Sequence, residues 1–310
     1  MSDPAPATSP IPAMAESAYR ACFSNLVIYT EEPEDEKLLD GVMSEYVLKH
    51  PCRIILILAQ PRQSSKLETA RVARTFTGTA GRTSTCDQIT IHAAGSGLKE
   101  ICGAVQPLLV ADLPVNLWWR GMFLNQRQLV EQMLSFSDRF IYDGGQWTNL
   151  HYTVLQVADC IKSHSKKVGF TNFNWSRLRP WRECAADFFD PGIFESEVWE
   201  LNRVRVEYMA LPGNEEGQQF RALLLVAWLS VQLGWTAKSG QTDGDLGQLQ
   251  FTDKKGLPVD TELALLPQSG PQSQGIQRVT ISVDRPPKSQ DFIIERDHKD
   301  HLMVLSSRTP

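Results

Sequence analysis

Arg53-Ile-Ile-Leu-Ile-Leu58 is an almost continuous apolar run, and runs of this kind form strands buried on both faces of a sheet. Upstream, Asn25-Leu-Val-Ile-Tyr29 is a second short β-rich run. Between the two, residues 31–36 give an acidic helix start with Pro33 near its first turn. Leu38, Leu39, Val42, Met43, Tyr46 and Val47 then recur at helical spacing as far as His50-Pro51. Strand, helix, buried strand is the opening of a layered α/β domain.

Downstream, the polar segment 60–85 shows little periodicity, with 71–77 as a candidate strand. Gln88-Ile-Thr-Ile-His92 alternates as a strand and runs into Ala93-Ala-Gly-Ser-Gly97, after which a helix is expected over 98–109. A strand, a glycine turn and a helix N-terminus can hold an anion through free backbone N–H groups. Gly95-Ser96-Gly97 lacks both the dinucleotide fingerprint and the P-loop Lys-Ser/Thr, so a plain tight turn explains it as well. Asp112-Leu-Pro114 breaks the chain. Val115-Asn-Leu-Trp-Trp119 is the next strand, with Trp118 and Trp119 on opposite faces. Leu129, Met133 and Leu134 mark a short helix, and Asp138-Arg-Phe-Ile-Tyr-Asp143 is a strand closed by Gly144-Gly145. Leu150, Val154, Val157 and Ile161 predict a helix of about three turns.

The stretch Asn172-Phe-Asn-Trp-Ser-Arg-Leu-Arg-Pro-Trp-Arg-Glu183 then packs Trp175, Arg177, Arg179, Trp181 and Arg182 into twelve residues. Arginine and tryptophan are the side chains most enriched at binding hot spots. Pro180 suits a first helical position, and Trp181, Cys184, Ala185 and Phe188 share one helical face up to Asp190-Pro-Gly192. No obvious nucleophile or base lies here. Two readings stand side by side: a docking surface, or a buried seam in which the arginines stack on covered tryptophans.

From about Trp199 the pattern changes. Val204, Val206 and Tyr208 alternate as a strand, and 215–233 is a helix apolar nearly all round, hence expected to be buried. Short alternating runs follow at 248–252, 262–266, 279–283, 292–295 and 302–305, with a polar loop at 267–275. The expected fold class is α/β (α+β): an N-terminal layered α/β domain with a mixed sheet, and a smaller C-terminal domain of antiparallel sheet packed on one buried helix. The expected organisation is a disordered tail over 1–20, then domains over 21–195 and 196–310.

The 310 residues carry 42% apolar and 22% charged side chains, and the net charge is −5. No general basic field exists for nucleic acid. The longest apolar run, 222–229, is far short of the roughly 20 residues a spanning helix needs. The first fifteen residues lack the basic start and apolar run of a signal peptide, so a soluble, cytoplasmic protein with reduced thiols is expected. Of the six cysteines, Cys102 and Cys184 read as small buried hydrophobes, while Cys22, Cys52 and Cys86 sit at element edges as candidates for redox sensing. His298 and His301 read as part of a solvated turn. Asp112, Asp138 and Asp143 lie near strand ends, where capping explains them as well as chemistry does. No catalytic constellation, metal set or cofactor motif emerges.

Three segments in order resemble the glucose-6-phosphate dehydrogenase assembly protein OpcA family: Pro107-Leu-Leu-Val-Ala-Asp-Leu-Pro-Val-Asn-Leu-Trp-Trp119, Ser137-Asp-Arg-Phe-Ile-Tyr-Asp143 and Asn174-Trp-Ser-Arg-Leu-Arg-Pro-Trp-Arg-Glu183. His50-Pro-Cys-Arg-Ile-Ile55 and the Ala227-Trp-Leu…Leu233-Gly-Trp235 segment support the likeness, which runs from Asn25 to Trp235. The chain departs from the family at Cys52, where a small residue is common, and at Asn172, where an Asp usually begins the motif. The resemblance implies a non-enzymatic, cofactor-free assembly factor or allosteric activator whose partner is glucose-6-phosphate dehydrogenase, the enzyme that opens the oxidative pentose phosphate pathway and makes NADPH. In cyanobacterial relatives it implies a link to thiol redox state, which no cysteine here matches by motif. The partner-binding candidates are Trp175, Arg177, Arg179, Trp181 and Arg182, with Trp118 and Trp119 as supporting core. The alternative is a sugar-phosphate or nucleotide-binding sensor built on the Gly95-Ser-Gly97 turn.

Overall fold

The computed structural model describes residues 22–32, 35–77, 83–121, 126–146, 149–190, 194–238, 247–267, 274–297 and 303–308. The expected tail, Pro191, Gly192, His298, His301, Leu302 and most of the 267–275 loop lie outside them. Contacts divide the chain into two compact units, one built on the chain up to Leu117 with 135–137, the other on 118–134 and 138 onward.

The first unit opens with strand β1 (Ser24–Thr30), helix α1 (Asp35–Lys49), and strands β2 (Cys52–Gln60), β3 (Lys66–Thr77) and β4 (Thr83–Ala94). β1 and β2 are parallel, with Ser24 opposite Cys52 and Thr30 opposite Leu58. β2 is also parallel to β4, with Ile54 opposite Gln88. Every residue of β1 is buried, its apolar Leu26–Tyr29 flanked by the polar Ser24, Asn25 and Thr30, as suits a strand covered on both faces. β3 runs antiparallel to β4, and Lys66, Glu68, Thr69 and Ala70 are exposed. It is an edge strand whose second half, 71–77, is the candidate strand of the sequence, while its polar first half, 66–70, shows no strand period.

The helix expected over 98–109 does not run as one piece. A 3-10 turn covers Gly95–Glu100, α2 (Ile101–Val105) is five residues long, and a second 3-10 turn covers Gln106–Leu108. Pro107 has no N–H to continue an α-helix. At the other end, a Cβ on Gly97 would overlap the Lys66 carbonyl of the edge strand. Ser65 Oγ accepts the Ser96 N–H (3.1 Å) and lies 2.8 Å from Ser96 Oγ. Close packing accounts for Gly97, and the Ser96 N–H is already engaged by Ser65.

β5 (Val115–Trp119), α3 (Arg127–Leu134), β6 (Arg139–Tyr142), α4 (Leu150–His164) and β7 (Gly169–Asn172) follow. The strand order of this first sheet is β3-β4-β2-β1-β5-β6-β7. β6 and β7 are parallel, Arg139 opposite Gly169 and Tyr142 opposite Asn172. β7 has only four residues and no periodicity to announce it.

The second unit continues with two short helices, α5 (Phe173–Arg177) and α6 (Arg179–Asp187), then β8 (Arg203–Met209) and α7 (Glu215–Leu233). β9 (Thr236–Ala237), β10 (Gln248–Thr252), β11 (Pro258–Leu265), β12 (Gly275–Arg285), β13 (Lys288–Arg296) and β14 (Met303–Arg308) complete a second sheet in the order β14-β13-β12-β8-β11-β10-β9. Its neighbours are antiparallel except β8 and β11, which run parallel, so the sheet expected to be antiparallel is mixed. The reason is α7, which separates β8 from the strands that follow and lets the chain re-enter the sheet in the same direction. Ala222, Leu225, Val226, Leu229 and Leu233 of α7 pack with Val204, Val206, Val279 and Ile281 of the sheet. The helix is not covered all round, since Ala227 and Val231 face outward. Leu178, Trp181 and Ala185 belong to this same core.

Candidate docking and anion site

Asn172 ends β7 and starts a helix: its side-chain oxygen accepts the Asn174 N–H at 2.9 Å, an N-cap that launches α5. Pro180 then supplies no N–H, so one helix cannot run through it. The chain breaks at Leu178 and restarts with Pro180 in the first turn of α6.

The helical period sorts the stretch into two faces. Asn174, Leu178, Trp181 and Ala185 point inward and are buried, with Trp181 only 3% exposed. Trp175, Arg179 and Arg182 fall on the other side, and Trp175 is 42% exposed. The guanidinium carbon of Arg182 lies 3.6 Å from the Trp175 ring centroid, and its Nη2 donates to the Trp175 carbonyl (3.1 Å). Desolvation by these neighbours lowers the Arg182 pKa, Glu183 opposes that and Arg179 adds to it. The buried seam splits: Trp181 is covered, while the arginine stacks on the exposed Trp175 instead. Arg179 is the most solvated of the five, its side chain 74% exposed and paired with Glu183 at 2.6 Å. Trp118 and Trp119 are both buried, and Trp118 meets Phe173 edge-on, 5.4 Å between centroids.

Arg177 points elsewhere. Asp143, at the end of β6, accepts Arg177 Nη1 at 2.7 Å on one oxygen. On the other it accepts the Gly145 N–H (2.9 Å) and Asn174 Nδ2 (3.1 Å). The fully buried Asn174 is the hub. Its Oδ1 accepts both Arg177 Nη1 (3.1 Å) and Arg221 Nε of α7 (3.0 Å), and its Nδ2 also reaches Asn172 Oδ1 (3.2 Å). All hydrogen-bonding capacity of the carboxamide is thereby used. Burial and then the charge of Arg177 pull the Arg221 pKa down to about 10, with Arg296 acting the same way and Asp143 in opposition. Two unit charges 4 Å apart at a surface-like dielectric interact by about 4 kcal/mol. The second guanidinium on one amide oxygen is thus opposed by the charge of the first.

Glycine makes the approach of α7 feasible: a Cβ on Gly217 would overlap the Gly145 carbonyl. Glu216 Oε2 in turn accepts the Leu150 N–H (2.6 Å) and so caps α4, whose own N-cap, Asn149, makes no side-chain bond. Asn174 and Arg221 were not singled out from sequence. The only signal was Asn174 inside the family motif, since an arginine on a helix face carries no mark of what it meets.

The redox candidates fare unevenly. Cys52 and Cys86 are buried and Cys22 is half-buried. Burial, then the neighbouring Cys86 and Cys22, push the Cys52 thiol up to about 12, which disfavours the reactive thiolate. Cys102 and Cys184 are half-buried rather than sealed, and burial raises both thiols. Among the described residues no helix is long and apolar enough to cross a membrane.

Comparison with known proteins gives two adjoining matches. Residues 44–159 match the glucose-6-phosphate dehydrogenase subunit N-terminal domain, and residues 168–302 match its C-terminal domain. The OxPP cycle protein OpcA of Synechocystis sp. is 27% identical over 232 residues, covering 73% of this chain and 47% of that protein. The namesake from Nostoc punctiforme is 25% identical over 231 residues, covering 73% and 48%. The chain spans about half the length of the curated relatives it matches. Among solved structures, an oxidoreductase from Sinorhizobium meliloti has a TM-score of 0.51 at 9% identity, covering 93% of this chain and 78% of that one, a likeness of fold alone. With both domains of one family matched in order, and its motif forming the hub between β6, α5 and α7, the chain belongs to the OpcA family of glucose-6-phosphate dehydrogenase assembly proteins.

Proposed function

We propose that the chain is a non-enzymatic assembly factor and allosteric activator of glucose-6-phosphate dehydrogenase, acting in the cytoplasm in support of the oxidative pentose phosphate pathway and NADPH production. The observation that carries this reading is the pair of family matches running from 44 to 302. The outer face of α5 and α6 supports a place for the contact. An exposed tryptophan with an arginine stacked on it is rigid and amphipathic, and it loses little side-chain freedom on binding. Trp175, Arg179 and Arg182 form the contact ridge. Arg177 serves it indirectly by fixing α5 on Asp143, and Trp181 by anchoring α6 in the core. Binding can activate the enzyme only through a difference in affinity between its states, so the ridge must fit the active oligomer better.

The test is dehydrogenase kinetics and oligomer distribution with and without the chain, alongside Trp175→Ala. Activation by the wild type, lost in a variant that melts normally, is the expected result. Unchanged kinetics and oligomer state together with no co-purification would overturn the proposal.

A further inference from the structure

Arg177 and Arg221 come from different elements, α5 and α7, yet donate to the same oxygen, Asn174 Oδ1, at 3.1 and 3.0 Å. Two guanidiniums bonded to one acceptor stand side by side. The one carboxylate in the cluster, Asp143, is already engaged by Arg177, Asn174 and the Gly145 N–H. Among the described residues, Arg221 bonds through Nε alone, and neither of its terminal nitrogens is sealed from solvent. Nη1 lies close to the backbone of Gly275, where a Cβ would sit 3.1 Å from it. Arg177 and Arg221 are thus two cations on a cluster whose bonded carboxylate is Asp143. A half-buried arginine with spare donors beside a second arginine lacks an anion, and paired planar forks match the oxygens of a phosphate better than a single ammonium would.

We propose that Arg177 and Arg221, held together on the Asn174 carboxamide, form a binding subsite for the phosphate group of a small phosphate monoester. The excess positive charge suits a dianion. The Asn174 hub fixes both forks in advance, so little side-chain ordering opposes binding. The subsite does not depend on a protein partner, and it uses no residue of the Gly95-Ser96-Gly97 turn.

The experiment is calorimetric titration of the purified full chain with inorganic phosphate at constant ionic strength, with acetate as the carboxylate comparison and thermal melting as a second readout. Saturable phosphate binding with a dissociation constant of about 1 mM or tighter is expected, together with a higher melting temperature. Arg177→Gln and Arg221→Gln should each weaken binding at least about tenfold, the loss of one charge-assisted bond, while Lys162→Gln on exposed α4 surface leaves it unchanged. Arg177 is half exposed, so its variant keeps the test decisive even if Arg221→Gln does not fold. Three results would overturn the subsite: no saturable binding, acetate binding as tightly as phosphate, or full binding by folded Arg177→Gln. All three are read on the isolated chain with no dehydrogenase present, so none of them bears on dehydrogenase activation.

Discussion

The two faces of residues 172–187 use the same residue types to opposite ends. On the inner face Trp181 is sealed in the core of the second unit, and at its edge the half-exposed Arg177 reaches past Asn174 to the carboxylate of Asp143. On the outer face Trp175 stays half in water, and its arginine, Arg182, lies flat on it with no carboxylate among its recorded bonds. The difference teaches that an arginine–tryptophan cluster in sequence is a mixture. Side chains facing inward fix the helix, and those a third of a turn away stay in solvent, where the proposed contact ridge lies. The comparison is open to a graded series of substitutions.

The largest effect is expected at Trp181. Replacing a nearly sealed tryptophan by alanine removes its transfer free energy and leaves a cavity, together about 3–5 kcal/mol. Chemical denaturation of Trp181→Ala should show that loss, and dehydrogenase binding should fall only as the folded fraction falls. A loss near 1 kcal/mol would move Trp181 to the surface group.

Asn174→Ala comes next. It strands the buried ends of a network that joins β6, α5 and α7, and an unsatisfied buried polar group costs about 1–3 kcal/mol. Because the substitution also leaves Arg177 and Arg221 without their common acceptor, Asn174→Ala with Arg221→Gln should be less destabilised than the sum of the single changes. Strict additivity in a double-mutant cycle would show that the two side chains are not coupled.

How much of this was legible follows from where each signal lives. The apolar run at 53–58 gave the parallel interior of the first sheet, because burial on both faces leaves no room for polar residues. The boundaries of α7 and of β10 were readable from their periods. Of the edge strand β3 only 71–77 was readable, and the four-residue β7 was not, since the start of the edge is polar and a short strand has no period. The parallel pairing of β8 with β11 is a property of connection, not of either strand's sequence. For the site, the dense stretch was visible, but its division into faces required the break at Leu178, and Pro180 was its only mark. Arg221 was out of reach: it lies 47 residues from Asn174, and only folding brings them together.

Trp175→Ala probes the outer face. An exposed cation–π pair stabilises by about 0.5–1 kcal/mol, so the melting temperature should drop by no more than a few degrees. Activation of the dehydrogenase should fall far more than stability does. Equal falls in both would return Trp175 to the same structural role as Trp181 and erase the contrast between the faces.

The smallest effect on folding belongs to Arg179. Its only recorded ion pair is to Glu183 one turn on, at 2.6 Å, in a setting where solvent and salt screen both charges. Arg179→Ala should therefore melt with the wild type. Its contribution to a partner is that of a rim charge, which acts on the approach of two proteins more than on their separation. The association rate with the dehydrogenase should drop at low salt, and wild type and variant should converge as ionic strength rises. A difference that persists in high salt, and lies in the dissociation rate, would place Arg179 inside the contact rather than at its edge, and would shift the centre of the ridge away from Trp175.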